Sequence, residues 1–295
     1  MPYGAAVNST TGTGILLVSI AYFLFTAHDG VIKLLVDTLP VWQILFFRSL
    51  TILVISFAIG RRDLAHRLIH SPIVRPMAVR SLFLLSAWLS FYTAAASLPL
   101  AELTTLYFAA PVVATVLAVI VLKEAVSVAR WAAVAVGFAG VVIASDPSGL
   151  TLSVPVYLAL LAACLWAAGT ILLRKTAMAE KSIVQMAMTN LFFLGMTGVA
   201  LFFVWRTPSL YELLLIVAMG MLGGAGQFSF FEAMRRAPVS VLAPFEYTSL
   251  VWAFLLGYLV WGDIPKLNVS FGAALIVLAG VIILFSERLG RRARA

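Results

Sequence analysis

The sequence predicts an all-α integral membrane protein with ten transmembrane helices in two inverted five-helix repeats. Three observations predict it. The first is composition. Of 295 residues, 63% are hydrophobic and 11% charged, with a mean hydropathy of +1.07, which leaves too little polar surface to clothe a soluble fold of this size. The second is segmentation into ten mainly apolar stretches, each close to the ~20 residues that a helix needs to cross a bilayer. The third is self-similarity. The run from Leu98-Pro99-Leu100 to Leu122-Lys123-Glu124 returns about 140 residues later as Ala237-Pro238-Val239 to Trp261-Gly262-Asp263. In that register Pro99 falls on Pro238, Phe91 on Phe230, Tyr92 on Phe231 and Glu124 on Asp263. With a small change of offset, Gln43 falls on Gln185, Lys33 on Lys175 and Gly140 on Gly280. The repeated unit holds an odd number of spans, so its two copies enter the membrane from opposite sides. Inverted repeats of this kind are a signature of secondary transporters. The repeats divide the chain into residues 1–147 and 148–295.

Each span has its own signals. Span 1 (13–36) follows a polar, uncharged N-terminus with no basic region and no small-residue cleavage site, and reads as a retained helix. It carries Tyr22, His28 and Asp29. Span 2 (39–60) carries Arg48. The basic segment after it holds His66 and His70 at i, i+4 spacing, without a third ligand or an adjacent glutamate, and reads as a solvated loop, not a metal site. Span 3 (76–97) carries Trp88 and Tyr92. Span 4 (100–122) is opened by Pro99, where proline is tolerated, and carries Tyr107. Span 5 (126–144) has a stripe of Ala129, Ala133 and Gly137, which hints at self-association without establishing it. Span 6 (154–176) holds Trp166 and Cys164; a single cysteine excludes an intrachain disulfide. Span 7 (182–204) leads to span 8 (212–235), where Gly220, Gly223, Gly224 and Gly226 permit close helix approach and Gln227 takes the repeat position of Trp88. Phe231 follows one turn later. Span 9 (238–261) opens at Pro238 and carries Pro244, Glu246 and Tyr247, and span 10 (266–286) closes the set. The loops are too short for a soluble domain.

The net charge of +8 is not a nucleic-acid footprint, because it is sorted by side. Of the 20 Lys and Arg, all but Lys33, Arg206, Lys266 and the intramembrane Arg48 fall on inner loops, inner helix ends (Arg80 among them) and the C-terminal tail. The positive-inside rule then places both termini in the cytoplasm.

Ionisable groups within a bilayer are costly and are candidates for function. Arg48 lies about nine residues into span 2, or roughly 13 Å from the outer edge at 1.5 Å per residue. Asp29 lies at a similar depth and Glu246 near mid-membrane, so Arg48 is within reach of either carboxylate. The competing reading is a fixed ion pair that joins helices. Pro244 frees a backbone carbonyl one turn before itself, and a free carbonyl beside Glu246 suits an ammonium group or a proton. His28, which titrates near neutrality, is a candidate proton relay. Tyr22, Trp88, Tyr92, Tyr107, Trp166, Phe231 and Tyr247 lie well inside the membrane rather than at its interfaces, where Trp and Tyr concentrate. Their polar atoms need partners there, and a cavity lined by them suits amphiphilic solutes. Gln227 is a further polar candidate. Glu124 and Asp263, at span ends, read as interfacial structure.

Phe47-Arg48-Ser49-Leu50, the run Leu98-Pro99-Leu100-Ala101-Glu102 with Pro111 and Lys123-Glu124, Arg130-Trp131 through Gly137-Phe138-Ala139-Gly140-Val141, and Ala243-Pro244-Phe245-Glu246-Tyr247 through Gly257 and Gly262-Asp263 together resemble the drug/metabolite transporter superfamily, in its ten-helix EamA-type branch. Asp263 departs from the more frequent glutamate but keeps the charge. The resemblance implies a central cavity faced by spans 1, 3, 4, 6, 8 and 9, with spans 5 and 10 peripheral, in a bacterial inner membrane. It implies a small-molecule substrate and no cofactor. The expected function is export of amino acids, aromatic ones included, and related metabolites by alternating access. The alternative is import of a vitamin or nucleoside-like metabolite on the same fold. An integral membrane enzyme would want a compact His, Asp or Cys constellation, and the three His and one Cys are scattered. No G-x-x-x-x-G-K-[ST] pattern exists for ATP.

Overall fold

A computed structural model describes residues 3–122, 128–144, 153–176, 179–236 and 242–292. Among the described residues every regular element is helical. The helices are α1 (Tyr3–Leu35), α2 (Val41–His70), α3 (Val74–Ala95), α4 (Leu100–Tyr107), α5 (Ala109–Leu122), α6 (Val128–Ala144), α7 (Val154–Thr176), α8 (Ser182–Val204) and α9 (Leu210–Arg236). They are followed by a 3-10 helix (Ala243–Tyr247), α10 (Thr248–Leu256), a π-helical turn (Gly257–Trp261) and α11 (Leu267–Arg292). Seven stretches are long and apolar enough to cross a membrane, and three shorter apolar helices cover Trp131–Ala144, Phe245–Trp261 and Leu267–Ile282. These are the ten stretches expected. Large apolar side chains such as Phe202 and Phe203 are 88% and 84% exposed, which only a lipid solvent makes favourable.

Some boundaries differ from expectation. The α1 helix begins at Tyr3, well before span 1 becomes apolar. The α2 helix runs through the basic segment to His70, so His66 and His70 are helical rather than in a loop. Their rings stack 4.4 Å apart, and His70 Nδ1 lies 3.1 Å from the His66 carbonyl. No group of three metal ligands occurs among the described residues. Span 4 is two helices, broken at Phe108, and span 9 is three short pieces.

The helix pairs show how the repeats interlock. The main pairs are α1 with α9, α3 with α7, α2 with α8, and α6 with α11. Exchanging each helix for its repeat mate turns the first pair into the second and leaves the other two unchanged. A pseudo-two-fold axis in the membrane plane has this signature.

Small residues set the spacing. A Cβ on Gly220 would stand 2.5 Å from Thr51 Cβ, and one on Gly224 would stand 3.3 Å from Ile52, so these two glycines let α9 close on α2. A Cβ on Gly140 would stand 2.6 Å from the Gly272 carbonyl oxygen, and one on Gly137 would stand 3.5 Å from Ala279. Gly137 of the α6 stripe therefore packs against α11 within the chain; the side chain of Ala129 and the whole of Glu124 and Pro238 lie outside the described residues.

Polar ties fasten the two ends of the α2–α8 pair. At one end the Gln43 side chain donates to the Arg206 carbonyl at 2.6 Å and accepts from its N–H at 2.9 Å. Arg206 Nη1 donates to the Thr38 carbonyl. The α9 helix starts there with a capping box: Ser209 N–H donates to Glu212 Oε2 at 2.6 Å, and Glu212 N–H to Ser209 Oγ at 3.3 Å. At the other end Glu180 accepts from Arg67 Nη1 at 3.2 Å and from Ser71 Oγ at 2.9 Å.

Candidate solute-binding site

The two broken spans mark the site. In the register that lays Pro99 on Pro238, Tyr107 falls on Glu246 and Phe108 on Tyr247. The α4–α5 break and the 3-10 helix of span 9 therefore interrupt their spans at equivalent positions, and the Phe108 and Tyr247 rings stack on each other at 5.4 Å and 17°. Residues related by the repeat that touch each other lie on the pseudo-two-fold axis. Breaks at corresponding positions of inverted repeats point to the substrate site.

Arg48, His28 and Asp29 form a linear polar chain. Arg48, 1% exposed, donates from Nε to His28 Nε2 at 2.8 Å. His28 Nδ1 lies 3.0 Å from Asp29 Oδ1. An arginine N–H can only donate, so His28 Nε2 carries the lone pair and Nδ1 carries the proton given to Asp29. The sequence reading placed Arg48 within reach of Asp29 or Glu246; instead neither carboxylate bonds it, and His28 is the link. The Arg48 guanidinium lies 3.8 Å over the Trp88 ring, a cation–π stack, and Trp88 meets Phe193 edge-on at 5.0 Å. Tyr92 packs against His28 at 6.2 Å. Gly223 makes room for the chain, since a Cβ there would stand 2.8 Å from His28 Cδ2 and 3.2 Å from Arg48 Nε.

Glu246 stands on the 3-10 helix. Pro244 opens that helix in its first turn; the carbonyl that proline would free, at residue 240, lies outside the described residues. The Glu246 side chain makes no hydrogen bond or ion pair among the described residues. It lies within electrostatic range of the Tyr22 and Tyr107 hydroxyls. The ring series Tyr92–Phe91–Tyr107–Trp166, at 5.6, 5.1 and 6.2 Å, connects the two halves, and Phe91 was not singled out from sequence. Tyr247 departs from the expected cavity lining. Its ring is turned onto Phe108 and fills the notch left by Gly280 on α11, so span 10 is not wholly peripheral.

Gln227 and Phe231 lie further along α9, and Phe231 is linked through Phe230 to Tyr22 by ring contacts of 6.3 and 6.0 Å. Gln227 Oε1 accepts from Asn190 Nδ2 at 3.1 Å, and Phe231 lies 5.6 Å below the Arg80 guanidinium. Arg80, near the start of α3, is 4% exposed. Asn190, fully buried, was missed. The signal was present: the register that lays Gln43 on Gln185 lays Arg48 on Asn190. The Arg48–Trp88 and Asn190–Gln227 contacts are thus one contact made twice.

Ten spans in interlocked inverted repeats, with charged and aromatic groups gathered at paired helix breaks, define a multi-pass membrane transporter. The EamA-like transporter family model matches residues 12–145 and again 154–286, and the chain belongs to that family. It is 26% identical over 282 residues to an S-adenosylmethionine uptake transporter of Rickettsia bellii, covering 92% of this chain and 94% of that one. It is 26% identical over 186 residues to a riboflavin transporter of Vibrio cholerae, covering 63% and 62% of the two chains. One solved crystal structure matches the fold with a TM-score of 0.66 at 20% identity over 99% of both chains.

Proposed function

We propose that this protein is a secondary transporter that takes up an amphiphilic metabolite joining a heteroaromatic ring to charged groups, of the S-adenosylmethionine type, across a bacterial inner membrane by alternating access. The observation that carries the reading is the pairing of a carboxylate without a partner among the described residues, Glu246, with a ring-stacked cation, Arg48, about one aromatic cluster. Tyr22, Tyr92, Tyr107, Trp88 and Trp166 offer faces for a heterocycle and for a sulfonium or ammonium centre, Glu246 attracts the cationic centre, and the His28–Asp29 pair holds Arg48 in place. Uptake is the direction named for the Rickettsia relative. The bodies that rock about the site are groups of helices drawn from both repeats, 1–147 and 148–295, since the main helix pairs join one repeat to the other. The N- and C-termini are cytoplasmic, on the side where the basic loops gather.

The same rings and charges accommodate an aromatic amino acid, so the export reading is tested alongside. Proteoliposomes are loaded in turn with labelled S-adenosylmethionine, riboflavin, phenylalanine and tryptophan, with and without a proton gradient. Saturable counterflow of S-adenosylmethionine is the expected result. Movement of the amino acids alone would replace this reading with amino-acid export, and movement of riboflavin alone would remove the requirement for a charged solute.

A further inference from the structure

One face of α9 carries Gly223, Gln227 and Phe231 at i, i+4 and i+8. Each of the three meets a buried polar side chain from the other helices. A Cβ on Gly223 would lie 3.2 Å from Arg48 Nε, Gln227 is bonded to Asn190 at 3.1 Å, and Phe231 lies under Arg80 at 5.6 Å. Eight helical residues rise ~12 Å, so the row runs from the aromatic cluster towards the end of the bundle where α2 meets α3. Arg48, Asn190 and Arg80 are 1%, 0% and 4% exposed. Each keeps a buried polar atom without a hydrogen-bond partner among the described residues: Arg48 Nη1, Asn190 Oδ1 and Arg80 Nε.

Arg80 is the most exceptional of the three. Its only hydrogen-bonding neighbour among the described residues is the Met77 sulfur, at 3.6 Å, a weak acceptor. Among the described side chains, the carboxylates towards that end are engaged elsewhere, Glu180 with Arg67 and Ser71 and Glu232 with Arg236. The second repeat has no such cation, because the register that lays Pro99 on Pro238 puts Met219 opposite Arg80. A methionine of similar length therefore serves the packing role at the equivalent place. A guanidinium buried among membrane-spanning helices, with no counter-ion among the described residues, is a functional candidate.

We infer that Arg80, Asn190 and Arg48 form a row of stations for the carboxylate of the transported solute, with Arg80 the station nearest the α2–α3 end. This rests on the transport reading above and adds to it a required chemical group. The two guanidinium groups take the carboxylate in turn, and Asn190 lies between them. The row is closed in the present conformation and opens when the ends of α3 and α9 part.

The test is binding of phenylacetate and of its neutral amide, phenylacetamide, to the purified full-length protein by isothermal titration. Wild type is expected to bind the acid at least tenfold more tightly than the amide. Arg80→Met is expected to weaken acid binding at least tenfold and leave amide binding unchanged, and Arg80→Lys to stay within threefold of wild type. Arg80→Gln is the second neutral variant should Arg80→Met not fold, with the melting curve of each variant as the check. Equal acid and amide affinity in wild type, or wild-type acid affinity in a folded neutral variant, would overturn the proposal. Because the probe is not the transported solute, failure of S-adenosylmethionine counterflow would refute the substrate reading without touching this result.

Discussion

At the residue scale the His28 ring does two jobs that conflict. It accepts from Arg48 at 2.8 Å and contacts Asp29 at 3.0 Å, so a proton arriving at Nε2 must first displace Arg48. A relay through His28 therefore requires the guanidinium to move, and proton entry is tied to the position of Arg48. Removing the ring leaves a buried guanidinium without its acceptor. His28→Ala is expected to destabilise the protein by about 1.5–3 kcal/mol, the range for a hydrogen bond to a charged group, and His28→Gln to recover part of that loss through its carbonyl oxygen. Thermal unfolding of the three proteins in detergent decides it, and an unchanged melting temperature in His28→Ala would show that Arg48 finds another partner. Glu246 is the opposite case. Its carboxylate has no partner to lose among the described residues, so Glu246→Gln should melt as wild type does while its transport rate falls at least tenfold. A wild-type rate would take Glu246 off the site.

At the element scale the decisive feature is where helices can touch. The four glycines of α9 lie against Thr51, against His28 and Arg48, against Ile52, and against Phe25. Gly223→Ala would press a methyl group to 2.8 Å from His28 Cδ2, and overpacking of this kind costs about 1–3 kcal/mol. Gly195 on α8 meets nothing within 4 Å, so Gly195→Ala is the matched control, expected to be neutral or slightly stabilising. Comparison of their melting temperatures and transport rates tests whether α9 is spaced by its glycines. Equal behaviour of the two variants would contradict it. The breaks in spans 4 and 9 also belong to this scale. A residue at Phe108 with a bond shared between the Thr104 and Thr105 carbonyls, both at 3.2 Å, and a proline-led 3-10 turn at Ala243–Tyr247 open the two spans where Tyr107 and Glu246 stand.

At the scale of the whole molecule, the repeats are tied at both ends of the α2–α8 pair, by Gln43 and Arg206 at one and by Arg67 and Glu180 at the other. Alternating access requires the ties to yield one at a time. Arg67→Cys with Glu180→Cys, in a Cys164→Ala background, joined by a short thiol cross-linker, should stop counterflow, and a reducible linker should restore it on reduction. Undiminished counterflow after complete cross-linking would mean that this end does not open during transport.

The sequence by itself determined the membrane class, the ten spans and the repeat, because lipid solvation demands long apolar helices and an odd unit must invert. It also placed Arg48, His28, Asp29 and Glu246 in the interior, since an ionisable residue in an apolar run has nowhere else to go. The tertiary structure decided which of these groups meet. Arg48 bonds His28 and stacks on Trp88, Tyr247 turns onto Gly280, and Asn190 and Arg80 join the interior through contacts with α9. Apolar periodicity could not foretell these pairings, because a helix that is apolar on every side carries no mark of which face turns to lipid and which to its neighbours. That choice is made by packing, at the few places where glycines let one helix approach another.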